Sequence, residues 1–533
     1  MTKYLRSAAL PSSMLFLLGL HPACNMATID SASGNAGGSM SGPYLSPQAA
    51  PPADTEGGDK YQAVGTNPFT VAAHDPWSTF AVDVDTASYD IFRRDVNDGV
   101  LPDPDSVRLE EYVNNFSYDY PAPAQGSEVP FSIALATSPH VLDRGTTLLR
   151  VGLQGQKPPP FEKKPANLVF LVDTSGSMSG SDKLPLVRYV LTRTLDVLAP
   201  TDTVAIVTYA GSTGVALSPT PVSERNAIAA KIETFTAGGS TNGAGGLELA
   251  YAQAQTGFIE SGINHVILCT DGDFNVGVSS TDALVAMIEA KRKTGITLTV
   301  LGFGSGNLND EMMEAISNKG NGVYGVISSQ AQADRYVSER MLSTIVHIAK
   351  DVKIQVEFNP ARVYAYRLLG YENRDIADQD FRNDVIDAGE IGAGHRVTAL
   401  YEIVPSGGTV PAREGAPALV EGAAADGAAE VAPSDLVLVK IRYKSPDAAE
   451  TDPAREVQAS LPGDRITAQV AADRDTQWAV AIAAFAEILK GSPYAEPEAV
   501  TQIAAIVGTD ATRDADRSEF ATLLTKARSL LGM

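Results

Sequence analysis

Three short stretches of this 533-residue chain place oxygen donors where a metal ion could be held. The first is Leu171-Val172-Asp173-Thr174-Ser175-Gly176-Ser177-Met178, in which Asp173 offers a carboxylate and Ser175 and Ser177 offer neutral hydroxyls. The second, Gly238-Gly239-Ser240-Thr241-Asn242, adds the hydroxyl of Thr241, and the third, Thr270-Asp271-Gly272-Asp273, adds the carboxylate of Asp271. Hard oxygen donors of this kind suit Mg²⁺ or Mn²⁺, which want near-octahedral geometry and keep positions open for water or ligand. Two carboxylates on a dication leave a metal that still attracts an anionic oxygen, and the weakly donating hydroxyls keep it electrophilic. Taken singly, each stretch reads equally well as residues that cap turns and helices.

What must position these loops is legible in the surrounding periodicity. Between residues 167 and 348, short apolar strands (168–172, 204–209, 266–269, 298–303, 323–327) alternate with helical patterns. In the first helix Val187, Val190, Leu191, Leu195 and Leu198 share a face. Continuous apolar strands separated by helices predict a parallel sheet covered on both faces, a doubly wound α/β domain over 161–349. Such sheets place their sites at the carboxyl ends of the strands, where the first and third loops fall.

On either side the period changes to two. Phe131, Ile133 and Leu135 alternate, as do Leu149, Val151 and Leu153, and after Lys350 so do Val352, Ile354, Val356 and Phe358. Further alternations at 397–403, 437–443 and 457–461 predict more half-buried antiparallel strands. Two strands alone are marginal in water. We therefore expect residues 67–160 and 350–465 to build one β-sandwich into which the α/β domain is inserted. Residues 406–433, rich in Gly, Ala and Pro, are expected to be a disordered loop. The helical stripes at 478–489 and 520–531 define a C-terminal region, 466–533, packed as a bundle of its own or against residues 80–116. Asp83 and Asp85 share one side of a strand expected over 80–85. They could hold a second cation, or Asp85 could cap the helix that follows, as Thr86 also could, with Asp83 a turn or salt-bridge residue.

The formal net charge of −23 disfavours nucleic acid. Lys3 and Arg6 precede an apolar stretch, Leu10 to Leu20, too short to span a bilayer and suited to a signal peptide, residues 1–24. Leu20-His21-Pro22-Ala23-Cys24 resembles a bacterial lipobox, with His21 and Pro22 departing from it; Cys24 would then be lipidated. The alternative is ordinary secretion with Cys24 removed or free. Cys269 is the only other cysteine, so with Cys24 lipidated no internal disulfide is possible. Residues 25–66, poor in large apolar side chains, are expected to be a flexible tether. The metal face should then point away from it.

The three loops, in this order and at these elements, resemble the metal-ion-dependent adhesion site of von Willebrand factor type A domains. Longer strings (Ser78 to Tyr89, Asn115 to Pro121, Arg367 to Arg374, Asp387 to His395) resemble the bacterial YfbK-like von Willebrand factor A lipoproteins. The resemblance implies a non-enzymatic module on the cell envelope, held by a lipid anchor, whose metal takes an Asp or Glu of a partner protein. Its alternatives are a structural envelope protein with an internally satisfied site, or an accessory subunit of an ATPase- or chelatase-like assembly. No HExxH, P-loop or G-x-S-x-G pattern argues for an enzyme. Gly302-Phe303-Gly304-Ser305-Gly306 lacks the third glycine of a dinucleotide loop.

Overall fold

The computed structural model describes residues 58–533 except 125, 143, 158–163, 242, 273–280, 387, 422–428, 450 and 467–471. The expected signal peptide, Cys24 and the tether up to residue 57 lie outside the described residues. In chain order, β1 (Thr70–Val71) and β2 (Trp77–Ala81) precede helices α1 (Ala87–Asn97) and α2 (Leu109–Asn114), then β3 (Phe131–Pro139) and β4 (Thr147–Gly155). The α/β domain opens with β5 (Ala166–Asp173), α3 (Leu184–Thr194), β6 (Thr203–Tyr209), β7 (Thr213–Pro221), α4 (Arg225–Ile232) and α5 (Gly243–Thr256). It continues with β8 (Ile263–Thr270), α6 (Thr281–Arg292), β9 (Thr297–Phe303), α7 (Asp310–Lys319), β10 (Tyr324–Ile327), α8 (Gln330–Arg335) and α9 (Met341–Ile345). The rest is β11 (His347–Phe358), β12 (Val363–Leu369), β13 (Gly389–Gly392), β14 (Arg396–Pro405), β15 (Asp435–Lys444), β16 (Arg455–Pro462), α10 (Arg474–Lys490), α11 (Val500–Asp510) and α12 (Ala515–Leu530).

The central sheet runs β10-β9-β8-β5-β6-β7, parallel throughout except for the β6–β7 hairpin. Every residue of β5 and β8 is buried, as continuous apolar strands covered on both faces require. From β5 the chain runs outward to β6 and then returns to the other side of β5 as β8. That reversal opens a crevice at the carboxyl ends of β5 and β8, the place where open α/β sheets bind ligands.

Strands from before and after this domain share sheets. One sheet runs β1-β12-β14-β4-β3, so β4 lies between β3 and β14. The other runs β13-β11-β15-β16, with β2 paired to Lys353–Glu357 of β11. Their inner faces fuse into a single core, in which Leu149, Val151 and Tyr401 of the first meet Ile354, Val356 and Val439 of the second. The two flanking groups thus form one sandwich, interrupted by the α/β domain.

The C-terminal helices do not stand apart. Trp478 and Phe485 of α10 and Phe520 of α12 close on Tyr89 and Phe92 of α1 and on Phe116, with Phe116 and Trp478 edge to face at 5.1 Å between ring centroids. Aromatic edges on ring faces add to the area buried here.

Two expectations need correction. The 406–433 loop is ordered where it is described: Val420 donates to the Phe69 carbonyl (2.9 Å) and accepts from Val71 (3.0 Å), while Val410, Ala416 and Leu419 pack on Val404 and Tyr494. Its sparse apolar residues find a partner surface that no local pattern reveals; residues 422–428 lie outside the described residues. Nor do residues 59 and 60, at the described end of the expected tether, run without contacts. Asp59 accepts from the backbone of Gly306 (2.7 Å) and Leu308 (2.9 Å), and Lys60 exchanges backbone hydrogen bonds with Leu308 and Asp310. This segment therefore docks on the loop after β9, at the same end of the sheet as the carboxyl ends of β5 and β8, not away from it.

Candidate metal centre

Asp173 ends β5 fully buried. Its Oδ1 accepts from the backbone N–H of Ser175 (2.8 Å), which turns the chain back so that the Ser175 and Ser177 hydroxyls meet at 2.9 Å. Thr270 Oγ1, at the end of β8, reaches Asp173 Oδ2 at 3.4 Å. The second loop is laced to the first through its backbone: Gly176 donates to the Gly239 carbonyl (3.0 Å) and Gly238 to that of Thr174 (2.8 Å). Gly239 has φ +90°, open to glycine and strained for other residues. Thr241, half-buried, stands between this lacing and the start of α5.

Asp271 follows β8 with 1 % of its surface exposed. Gly272 after it must be glycine, since φ is +96° and a Cβ would lie 2.4 Å from the Asn307 carbonyl. That tight contact seats the β8 end against the loop after β9, whose Asn307 reaches Asp271 Oδ2 at 3.4 Å. Lys183 Nζ lies 2.9 Å from the same oxygen. Burial pushes the Asp173 carboxyl up to about 6, with the Asp271 charge adding to it and hydrogen bonds from Ser175 opposing. Buried Tyr209 stands beside them, its phenol pushed up by burial and then by the Asp173 charge.

The crevice thus gathers Asp173, Ser175, Ser177 and Asp271, with the Thr241 loop bound to it; Asp273 lies outside the described residues. Two buried carboxylates and neutral hydroxyls are a hard donor set that fits Mg²⁺ or Mn²⁺. A cationic group, Lys183, already stands against one of them. Sequence reasoning missed Lys183, Asn307 and Asp59. The first two reach the centre only through the packing of one loop on another, and Asp59 acts on it through the residues flanking Asn307.

Asp83 and Asp85 are spoken for. Asp83 Oδ1 accepts from the Asp85 backbone (3.1 Å), Asp85 Oδ1 from that of Tyr324 (2.8 Å), and Arg374 lies 2.8 Å from Asp83 and 3.5 Å from Asp85. Among the described residues the pair has turn and salt-bridge roles. Of the two residues the spacing offers as the α1 cap, Asp85 and Thr86, the position falls on Thr86, which makes no side-chain cap bond.

Residues 167–337 match the family model of the von Willebrand factor type A domain, and residues 343–530 that described as "Uncharacterized protein YfbK, C-terminal". Residues 55–150 match a further model described as "von Willebrand factor". The chain is 39% identical over 446 residues to "Uncharacterized protein YfbK" of Escherichia coli (strain K12), covering 82% of this chain and 75% of that protein. It is 29% identical over 181 residues to inter-alpha-trypsin inhibitor heavy chain H3 of Mesocricetus auratus, covering 32% of this chain and 20% of that one. Among solved structures, a von Willebrand factor type A protein from Catenulispora acidiphila aligns with a TM-score of 0.43 at 15% identity, over 77% of this chain and 91% of that chain.

Proposed function

The chain belongs to the YfbK family of proteins with a von Willebrand factor type A domain, a module generally used for protein interaction, and from that premise we propose a metal-dependent protein-binding role in the cell envelope. Mg²⁺ or Mn²⁺ would be held by Asp173, Ser175, Ser177, Thr241 and Asp271, and would supply a Lewis-acidic position for one carboxylate oxygen of a partner's Asp or Glu. The observation that carries this reading is the placement of two buried carboxylates and two serine hydroxyls in the crevice between β5 and β8. The protein's own part is to fix the donors before the metal arrives. The Asp173–Ser175 turn sets the two serines, the backbone lacing sets the Thr241 loop, and the Gly272–Asn307 contact sets Asp271.

Calorimetric titration of the full chain with Mg²⁺ or Mn²⁺ is expected to give a stoichiometry near one. Asp173→Ala or Asp271→Ala should weaken the affinity by at least about tenfold, the scale on which metal-site partners act. Undiminished binding in both variants would sink the assignment. A pull-down from envelope extracts should retain a partner with Mg²⁺ and lose it with chelator or with Asp173→Ala.

The proposal also places the protein outside the cytoplasm, attached through Cys24. Mass spectrometry of the mature protein is expected to find Cys24 as its N-terminal residue, carrying diacylglycerol. A different N-terminus, or an unmodified Cys24, would count against the anchor and leave ordinary secretion.

A further inference from the structure

Lys183 is an unexpected resident of this crevice. It immediately precedes α3, where the positive end of the helix dipole disfavours a cation. It is also nine-tenths buried, which disfavours a charge further. Neither its helix nor its burial accounts for a lysine there. Its stem runs across Gly304, where a Cβ would lie 2.7 Å from Lys183 Cγ and 2.8 Å from Cε. The loop after β9 therefore leaves room for that stem, and the ammonium ends 2.9 Å from Asp271 Oδ2.

We infer that Lys183 is a built-in counter-cation of the metal centre, which lowers its affinity for the metal and raises the loaded centre's demand for an anionic ligand. The inference rests on the metal-centre reading above. Charge bookkeeping gives the direction. Asp173 and Asp271 bring two negative charges; Lys183 cancels one, so these three groups together carry a single negative charge and Asp271 is not left uncompensated. A dication then meets one net negative charge from these groups where the carboxylates alone would present two, and is held less strongly. Once bound, it leaves the centre with one net positive charge, which a carboxylate from a partner neutralises. Without Lys183 the loaded centre would already be neutral, and an incoming carboxylate would leave it negative.

This differs from an orienting role. A group that merely held Asp271 in place would, when removed, weaken metal binding, as loss of partners around metal ligands does. A like charge, when removed, strengthens it. The full chain is therefore titrated with Mn²⁺, free ion being read by electron paramagnetic resonance, in wild type, Lys183→Gln, Lys183→Met and Lys183→Arg. Thermal melting of each is followed in EDTA and in excess Mg²⁺.

The glutamine and methionine variants are expected to bind Mn²⁺ roughly tenfold tighter than wild type, within the range that groups around metal ligands command. The arginine variant should keep the wild-type affinity. In EDTA the methionine variant should melt below wild type, and excess Mg²⁺ should restore it. Mn²⁺ binding by the neutral variants in the absence of measurable wild-type binding would support the inference most strongly. Weaker or unchanged binding by both neutral variants, with wild type binding normally, would overturn the role of Lys183 and leave the metal centre intact. No binding by any of the proteins would overturn both.

Discussion

Arg108→Ala is expected to lower the stability of the folded chain by about 3–5 kcal/mol, the usual cost of removing one partner from a buried ion pair. Arg108 precedes α2 with 1 % of its surface exposed. Its guanidinium lies against Asp310, 3.2 Å from Glu111 and 2.6 Å from Glu314. Burial opposes its charge, but Asp310, Glu111 and Glu314 outweigh that and hold the guanidinium in its charged form. Asp310 and Glu314 belong to α7 of the α/β domain, so one side chain from the N-terminal region joins it to that domain. Alanine would strand these carboxylates together, without the charge that compensates them. Denaturant midpoints at neutral pH measure the loss, which should shrink as the pH falls and Glu111 and Glu314, whose carboxyls burial pushes up, protonate. Lysine is a poor substitute, because one ammonium cannot reproduce the guanidinium fork. A midpoint unchanged by Arg108→Ala would mean that the junction does not depend on this pairing.

The same junction shows where sequence reasoning stops. Strands β5, β8 and β9 and the amphipathic strands of the sandwich were legible because burial on two faces, or on one, writes itself as a run or an alternation of apolar residues. The donors Asp173, Ser175, Ser177, Thr241 and Asp271 were legible as candidates because the loops that carry them lie beside those strands and helices. Arg108 has no such signature. Its partners at 310 and 314 lie some two hundred residues on, and a single arginine beside two glutamates on a short helix reads as solvated surface. Asp85 shows the same limit. Spacing suggested a helix cap, yet its carboxylate accepts from the backbone of Tyr324 in β10, 239 residues further along the chain.

The metal centre divides the same way. The residues offered as ligands are local in sequence, three within one turn and two at the start or end of an element. What surrounds them is not local. Asn307 reaches Asp271 while its neighbours Gly306 and Leu308 are held by Asp59, so a residue from within the expected tether buttresses the loop beside the candidate ligand. A polar, Gly-containing stretch before the first strand gave no sign of that, because a single carboxylate accepting two backbone N–H groups leaves no periodicity.

Glu110→Gln is expected to stabilise the protein at neutral and alkaline pH and to have little effect in mild acid. Glu110 lies on α2 with 2 % of its surface exposed, and its carboxylate packs against Gly370, where a Cβ would come within 2.4 Å of Oε2. Two further carboxylates bear on it, Glu372, which Lys490 meets at 2.8 Å, and Asp83, which Arg374 meets at 2.8 Å. Burial, then the charges of Glu372 and Asp83, push the Glu110 carboxyl up to about 7, from 4.5 when free. The sign follows from proton linkage. Below pH 4.5 the group is protonated in both the folded and unfolded chain and costs nothing. As the pH rises through 4.5 towards 7, the unfolded chain loses this proton first, and the folded state forfeits stability until its own carboxyl ionises. At about 1.4 kcal/mol per unit, the ceiling of that loss is about 3 kcal/mol. Glutamine keeps the shape without the charge, so the difference between variant and wild type should open between pH 4.5 and 7 and then level off. Denaturant midpoints at pH 5 and pH 8 would measure it, and a difference that did not change with pH would mean that Glu110 does not titrate as a buried acid.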